Sequence, residues 1–483
     1  MLFNSIEFAI FLPLIFILYW FVANKNLKFQ NILLVVASYV FYGWWDWRFL
    51  SLIIFSSAVD YFVGLGLKKE ENESKRKLLL WTSIFVNLGF LGVFKYFNFF
   101  AESFADAFML FGQKIEANRL NIILPVGISF YTFQTLSYSI DVYKRKLEPT
   151  KDIISFFAFV SFFPQLVAGP IERATNLLPQ FYKKRNFSYD KAVDGMRQIL
   201  WGLFKKIVIA DNCAIYANDI FNNYTDYSGS TLVIGAIFFA FQIYGDFSGY
   251  SDIAIGTSRL FGFNLKQNFA FPYFSRDIAE FWRRWHISLS TWFRDYLYIP
   301  MGGSRGGTWM KIRNTFIIFI VSGFWHGANW TFIIWGALNA IYFLPLMLMK
   351  KNRKNINTVA EGKFFPSIKE FFNMAITFAL TVFAWIFFRA ENLSHAMDYI
   401  SIIFSKSLFS FPNLNIIKRS LFVILITLIF LFVEWTQRNK KHGLEIKNIK
   451  FPRIFKWSFY SFIIFLIFMF TQTNETPFIY FQF

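Results

Sequence analysis

Long apolar runs separated by short polar segments dominate the hydrophobic pattern of this chain. A membrane-spanning helix requires about 20 predominantly apolar residues, and several runs approach that length. The pattern predicts spanning helices over residues 6–22, 31–45, 49–67, 78–97, 232–244, 315–325, 330–349, 372–388, 421–435 and 457–470. We therefore expect an all-α, polytopic transmembrane protein.

Three further apolar segments, 122–142, 153–166 and 199–209, are interrupted by proline, glycine or charged residues. Within a bilayer, irregular backbone is tolerated only where protein or a cavity satisfies its polar groups. These segments predict a core of tilted, short or re-entrant helices within residues 120–350. We expect this core to carry the functional site, inside a single membrane domain over residues 1–483.

The basic residues of the short connections predict the orientation of the chain. They cluster after the first span, after the third span, and in two later connections: Lys25, Lys28, Lys68, Lys69, Lys75, Arg76, Lys77, Lys350, Lys351, Arg353, Lys354, Arg438, Lys440, Lys441, Lys447 and Lys450. Cytoplasmic loops are enriched in Lys and Arg, so the N-terminus is predicted to lie outside the cytoplasm. The first run carries Glu7 and lacks a basic leader and a small-residue cleavage site, which favours a retained helix over a signal peptide.

Composition supports a membrane protein and excludes several other classes. Of the 483 residues, 55% are hydrophobic and 16% are charged, whereas an ordinary soluble domain has about 25% charged residues. The net charge of +19 would suggest nucleic acid binding in a soluble protein, but here the basic residues lie in short loops. The single cysteine, Cys213, excludes an intramolecular disulfide and a thiolate cage.

Known chemical motifs narrow the function further. The sequence has no Walker loop, no G-x-S-x-G elbow and no H-E-x-x-H motif. Their absence argues against a nucleotide-driven transporter and against a standard serine or zinc hydrolase. We predict neither a metal site nor a tightly bound cofactor.

Two of the four histidines stand out. His442 lies in a basic loop and His395 near a helix end, so we expect both to be solvated. His326, in SGFWHGANW, and His286, in EFWRRWHIS, lie among apolar and aromatic residues. Ionisable groups at membrane depth are usually functional, and a desolvated neutral imidazole can act as a general base. The structural alternative is a histidine that hydrogen-bonds between helices.

Charged residues surround this aromatic region. Glu280 is spaced to pair with Arg283 or Arg284 on a helix. The segment 280–305 is strongly amphipathic and could lie at the membrane interface or line a polar funnel. The glycine-rich stretch 301–307 could hold an anion, although glycine clusters are usually turns. Asp246 and Asp252 are not on one helical face, which favours packing anchors or orienters of a histidine over a carboxylate pair.

The chain resembles the membrane-bound O-acyltransferase (MBOAT) superfamily, and within it the bacterial branch typified by alginate O-acetyltransferase membrane subunits. The likeness extends over MLFNSIEFAIFLPL, FYGWWDWRF, ILPVGISFYTFQTLSYSIDVYKR, LVAGPIER, DFSGYSDIAIG, EFWRRWHISLSTWFRDYLYIPMGG, GFWHGANWTFIIWGALNA and PFIYFQF. It implies an MBOAT fold around a central tunnel, with His326 as the catalytic histidine and His286 as the second histidine. We assign substrate binding to residues of these motifs: Trp285, Trp325, Arg283, Arg284, Asp246 and Asn329.

The resemblance also implies a function. Such proteins take an acyl group from a thioester, here acetyl-CoA as donor substrate, and move it through the membrane core of the bacterial inner membrane. The expected product is an O-acetylated exported polysaccharide such as alginate, or peptidoglycan, made with a periplasmic SGNH-hydrolase-like O-acetyltransferase partner. His326 would deprotonate the acceptor hydroxyl, while His286 orients a substrate or stabilises developing charge.

Two alternatives remain open at the level of sequence. D-alanine delivered by a carrier protein to teichoic-acid-type polymers would keep the enzyme and change the acyl group. A transporter without acyl chemistry also fits broken helices and buried charge, although the sequence shows no related halves. Lipid is an expected partner in each case, and nucleic acid in none.

Overall fold

The computed structural model describes residues 1–117, 119–121, 123–445, 452–472 and 478–479, and within these ranges the secondary structure is helical, without strands. Contacts divide the chain into two compact units: residues 1–195 with 257–266, and residues 196–256 with 267–483. The expectation of a single domain stays a prediction. Both histidines of interest belong to the second unit.

Helices α1 to α10 cover the first part of the chain. Their bounds are α1 Ile6–Ile17, α2 Leu27–Asp46, α3 Leu50–Lys69, α4 Glu73–Leu91, α5 Phe97–Leu110, α6 Ile128–Tyr143, α7 Ile153–Ser161, α8 Phe163–Leu166, α9 Ala174–Phe181 and α10 Tyr189–Leu203. The segments predicted to be broken are indeed short or interrupted helices here. The predicted start of the first broken segment, Ile122, lies outside the described residues.

Helices α11 to α20 follow. Their bounds are α11 Asp211–Asn222, α12 Gly229–Leu260, α13 Ile278–Arg284, α14 Ile287–Phe293, α15 Thr308–His326, α16 Trp330–Leu348, α17 Ile368–Arg389, α18 Leu393–Ile403, α19 Leu414–Thr436 and α20 Arg453–Phe470. Among the described residues, four short π-helical stretches occur at Leu18–Val22, Gly92–Tyr96, Phe204–Ala210 and Arg294–Tyr298.

Seven helical stretches among the described residues are long and apolar enough to cross a membrane. They are Leu27–Lys69, Glu73–Leu110, Gly229–Leu260, Trp330–Leu348, Ile368–Arg389, Leu414–Thr436 and Arg453–Phe470, with the shorter apolar helix Ile6–Val22 beside them. These helices confirm the prediction of an all-α polytopic membrane protein.

A buried polar cluster joins three helices of the first unit. The Asp60 carboxylate on α3 is fully buried and accepts hydrogen bonds from Ser83 and Asn87 of α4 and from Ser139 of α6. Side-chain hydrogen bonds of this kind stabilise helix association in membranes. The cluster therefore ties α3, α4 and α6 together.

Ion pairs anchor α12 within the second unit. Lys205 Nζ lies 2.6 Å from the Asp252 carboxylate, and Lys206 Nζ lies 2.8 Å from the carboxylates of Asp246 and Asp211. Both lysines belong to the π-helical stretch Phe204–Ala210. The two aspartates of the DFSGYSD motif thus act as packing anchors, which was one of the two roles expected for them.

Helices α15 and α16 form a closely packed antiparallel hairpin. A Cβ atom added at Gly323 would collide with the carbonyl oxygen of Phe332, and one added at Gly336 would collide with that of Phe319. Glycine at these positions allows the two backbones to touch. The end of α15, which carries His326, is consequently held in place by main-chain contacts.

Candidate active site

His326 is the last residue of α15 and is 3% exposed. Its imidazole packs among aromatic rings, with centroid distances of 4.8 Å to Trp325, 5.3 Å to Trp335 and 5.2 Å to Phe388. The helix ends because Gly327 leaves helical geometry, at φ −162°. His326 therefore lies at a helix end, in an aromatic pocket shielded from water.

His286 lies at the break between α13 and α14. It is 1% exposed and has a left-handed backbone, with φ at 44°. Burial lowers the pKa of His286 to about 3, so the imidazole is neutral at physiological pH. Its ring centroid lies 4.6 Å from that of Phe247 and 6.0 Å from that of Trp325.

Trp325 brings the two histidines into one neighbourhood. Its indole contacts the His286 ring across the space between α14 and α15, and it contacts the adjacent His326 ring as well. Residues separated by 40 positions in sequence thus share one tryptophan neighbour. This arrangement suits a site in which two imidazoles act on the same substrates.

A cavity of about 660 Å³ runs beside α13, α14, α15 and α16. Five cationic side chains line it: Arg283, Arg294, Lys311, Lys350 and Arg353. No acidic residue is among the described lining residues. A cavity with this charge favours an anionic ligand.

The cavity follows one face of α15 towards His326. Lys311, Thr315, Phe319 and Ser322 line it at helical spacing. Lys311 lies about 22 Å from His326 along the helix axis, and Ser322 lies about one turn before it. Aromatic side chains separate the cavity from His326. The lining residue Trp282 contacts Trp335, with 5.7 Å between ring centroids, and Trp335 contacts His326.

Helix α13 is held by a buried ionic cluster. Glu280, 1% exposed, accepts from Arg276 at 3.0 Å and from Arg284 at 2.8 Å. The predicted pairing of Glu280 with Arg284 is therefore confirmed. Arg283 instead donates to backbone carbonyls of the connection after α16, those of Asn352 and Asn355, each at 2.7 Å.

The connection 350–363, here called the mouth loop, supplies Lys350, Asn352 and Arg353 to the cavity lining. Arginines hold it in place through its main chain. Arg276 donates to the Asn357 carbonyl at 2.7 Å, and Arg438 donates to the carbonyls of Val359 and Ala360, each at 3.0 Å. Hydrogen bonds from these arginines therefore hold the rim of the cavity in place.

The structure gives the predicted substrate-binding residues different environments. Of these six, Arg283 lines the cavity and Trp325 lies between the histidines. Trp285 is buried in the aromatic core against Trp385. Arg284 pairs with Glu280, Asp246 pairs with Lys206, and Asn329 caps α16 by accepting from the Thr331 amide at 3.0 Å. A substrate role for these residues stays a prediction.

Two expectations about histidines are wrong. His395 is 8% exposed and stacks on Tyr224 at 4.6 Å, and His442 is 2% exposed. Their polar sequence neighbours indicate solvation, but Phe221 and Tyr224 of a distant segment contact the His395 ring, and His442 is buried as well. None of the four histidines is among the described residues that line the cavity, and His326 is separated from it by Trp282 and Trp335.

Sequence reasoning also missed functional candidates. Lys311, Lys350, Arg353 and Ser322 line the cavity, and none was singled out as a site residue. The basic residues at 350–354 were interpreted only as an orientation signal. The available signal was the spacing of Lys311, Thr315 and Ser322, which places polar groups on the face of the helix that ends in His326.

Comparison with known proteins agrees with this geometry. The family model described as "MBOAT, membrane-bound O-acyltransferase family" matches residues 145–388, a range that includes both histidines. The protein named probable alginate O-acetylase AlgI of Pseudomonas aeruginosa is 40% identical over 86% of this chain and 77% of its own length. The peptidoglycan O-acetyltransferase of Helicobacter pylori is 37% identical over 83% of this chain and 79% of its own.

The name of a more distant relative indicates a different acyl group. The teichoic acid D-alanyltransferase of Bacillus subtilis is 27% identical over 57% of this chain and 71% of its own length. Helical architecture, the buried histidine pair and these similarities agree with one another. The chain is an O-acyltransferase and belongs to the membrane-bound O-acyltransferase family.

Proposed function

We propose that this enzyme moves an acetyl group from a cytoplasmic thioester, acetyl-CoA, through the membrane core for O-acetylation of an exported cell-surface polymer. Alginate-like polysaccharide and peptidoglycan are the proposed acceptor classes. The observation that carries the proposal is the cationic cavity that follows α15 towards His326. Its charge suits the phosphates of a coenzyme A donor.

The donor is proposed to enter at the mouth loop. Lys350 and Arg353 of that loop line the cavity and belong to a basic connection expected to face the cytoplasm. The path along α15 from Lys311 to His326 is about 22 Å, a length comparable with an extended pantetheine arm. A donor with its phosphates at the mouth could therefore bring its thioester near His326.

The proposed chemistry is direct acyl transfer. His326 takes the proton of the acceptor hydroxyl, and the oxygen attacks the thioester carbonyl carbon. The carbon–sulfur bond breaks, and the imidazolium returns the proton to the departing thiolate. General-base assistance of this kind is typically worth about 10²–10⁴-fold in rate.

D-alanyl transfer from a carrier protein is the second candidate. It is supported by the similarity to a teichoic acid D-alanyltransferase, which is more distant and covers less of this chain than the O-acetyltransferase relatives. The cationic cavity fits either donor, because a carrier protein also presents its acyl group on a phosphopantetheine arm. The donor identity therefore has to be tested directly.

The decisive experiment uses purified protein in nanodiscs with radiolabelled acetyl-CoA and the proposed periplasmic partner as acceptor. We expect coenzyme A release in the wild type and a loss of about 10²-fold or more in His326→Ala. His395→Gln, which removes a buried histidine away from the cavity, should retain activity. Transfer by His326→Ala at the wild-type rate would refute the role of His326, and turnover only with a D-alanyl carrier protein would favour the second candidate.

A periplasmic partner is proposed to complete the reaction. The resemblance implies an SGNH-hydrolase-like O-acetyltransferase that passes the acetyl group to the polymer. Label should then reach the polymer only when the partner is added, whereas release of coenzyme A should not require the polymer. Polymer labelling without any partner would contradict this part of the proposal.

The proposed location is the bacterial inner membrane, with the N-terminus in the periplasm. Cys213 is fully buried, so cysteines introduced elsewhere can be labelled selectively. Asn4→Cys should react with an impermeant maleimide in intact spheroplasts, while Lys354→Cys should react only after the membrane is opened. The opposite pattern would reverse the orientation.

A further inference from the structure

Asn268 contacts three consecutive residues at the start of α14. Its backbone carbonyl accepts from the Ile287 amide at 2.9 Å. Its side-chain Oδ1 accepts from the Ser288 amide at 3.2 Å and from the Ser288 hydroxyl at 2.8 Å. The same Oδ1 lies 3.1 Å from His286 Nδ1. One fully buried side chain therefore organises the segment that carries the second histidine.

The hydrogen bonds fix the orientation of the Asn268 amide. The Ser288 backbone N–H can only donate, so the atom facing it must be the oxygen. On the other side, Asn268 Nδ2 donates to Ser251 Oγ at 3.0 Å. A flipped amide would set its NH₂ group against the Ser288 N–H. The oxygen therefore faces His286.

We infer that Asn268 is a positioning residue that holds His286 in the tautomer protonated at Nδ1. An amide oxygen is an acceptor only, so the contact with Nδ1 requires the proton to be on that nitrogen. In a neutral imidazole the lone pair then belongs to Nε2. Burial keeps the ring neutral at physiological pH.

Asn268 also explains the unusual backbone of His286. A non-glycine residue in the left-handed region is strained and persists where the surroundings impose it. Asn268 takes over the capping of α14 by accepting from the Ile287 and Ser288 amides. The His286 side chain is thereby not needed as a helix cap, and its ring packs against Phe247 and Trp325.

The tautomer limits what His286 can do in the reaction. With the lone pair on Nε2, that atom can accept a hydrogen bond from a donor group of a substrate. It cannot donate one to the oxygen of a thioester or to a developing oxyanion while the ring is neutral. This consequence rests on the proposed function: His326 takes the single proton of the reacting hydroxyl, so His286 orients a substrate through another donor group and does not stabilise the oxyanion.

The tautomer can be measured without turnover. The chain has four histidines, so protein labelled with ¹⁵N-histidine in nanodiscs gives few imidazole signals, and His286→Gln identifies the one of interest. We expect a protonated Nδ1 and an unprotonated Nε2. Asn268→Leu should abolish this pattern, Asn268→Asp should keep it, and Ser288→Ala, which removes only a neighbouring donor to Oδ1, should keep it too.

Activity provides the second readout. Asn268→Leu should lower kcat for acetyl transfer by about 10²-fold or more, and Asn268→Asp, which retains an acceptor for Nδ1–H, should restore most of it. A protonated Nε2 in the wild type, or an unchanged tautomer in Asn268→Leu, would overturn the inference. Absence of acetyl transfer with the expected tautomer intact would instead count against the proposed function alone.

Discussion

The charge of the cavity mouth gives a quantitative prediction about the donor. Arg353 lines the cavity and is exposed at its rim. A sphere of 660 Å³ has a radius of about 5 Å, and two unit charges at that distance interact by about 0.8 kcal/mol in a water-like dielectric. Neutralising one cation should therefore raise KM for acetyl-CoA about fourfold, and Arg353→Glu should raise it about 15-fold.

The matched control is Lys354→Glu. This lysine follows Arg353 in the mouth loop and is exposed, but it does not line the cavity. Its reversal changes the net charge equally, so a general effect of protein charge should affect both variants alike. We expect its KM to stay within about twofold of wild type, because its exposed side chain does not line the cavity and its charge is screened by salt.

The assay compares two donors over a range of salt. Acetyl-CoA carries phosphates, whereas S-acetylpantetheine does not, so Arg353→Glu should raise KM only for the first. The difference should shrink as salt increases. An equal rise for both donors, or no rise for either, would refute the assignment of the mouth to phosphate recognition.

Two further predictions concern the elements that support the site. Glu280→Gln leaves two arginines without their buried charge partner and should destabilise the protein by about 3–5 kcal/mol. Its control, Asp295→Asn, removes an exposed pair and should cost about 1 kcal/mol or less. Thermal unfolding in detergent measures both changes, and equal shifts of the unfolding temperature would contradict the reasoning. Gly323→Ala should destabilise by about 1–3 kcal/mol and reduce acetyl transfer, because its methyl group meets a carbonyl oxygen. Gly89→Ala, which meets nothing within 4 Å, is its control, and an equal effect of both would disprove close packing as the cause.

Apolar runs predicted most helices because lipid rewards a continuous apolar surface. The spans that the structure assigns extend or closely match those runs. Helix α15 is the informative exception, since it contains the predicted span 315–325 but begins at Thr308 and is not among the seven stretches that are long and apolar enough to cross a membrane. Lys311 and Arg313 interrupt the apolar pattern, yet Lys311 faces the cavity. One of the charges that interrupt the apolar pattern, Lys311, therefore lies on the helix face that lines the cavity.

The position of His326 could be predicted from sequence, but the geometry of His286 could not. The segment after Glu280 has the pattern of one amphipathic helix. In the structure, α13 ends at Arg284 and a second helix, α14, begins at Ile287. The break depends on Asn268, which caps α14 from a separate segment. No local pattern reports a cap supplied 18 residues away. The burial of His395 could not be predicted either, because Tyr224, which stacks on its ring, also comes from a separate segment.

The restraint on the mouth loop has a consequence for how such enzymes diversify. Arg276, Arg283 and Arg438 donate to backbone carbonyl oxygens of the loop. Every amino acid supplies a carbonyl, so most substitutions in the loop leave these hydrogen bonds available. Selection can thus change the charge and size of the side chains at the entrance without reshaping the entrance itself. Evolution of new donor preferences would require few coordinated mutations in this part of the chain.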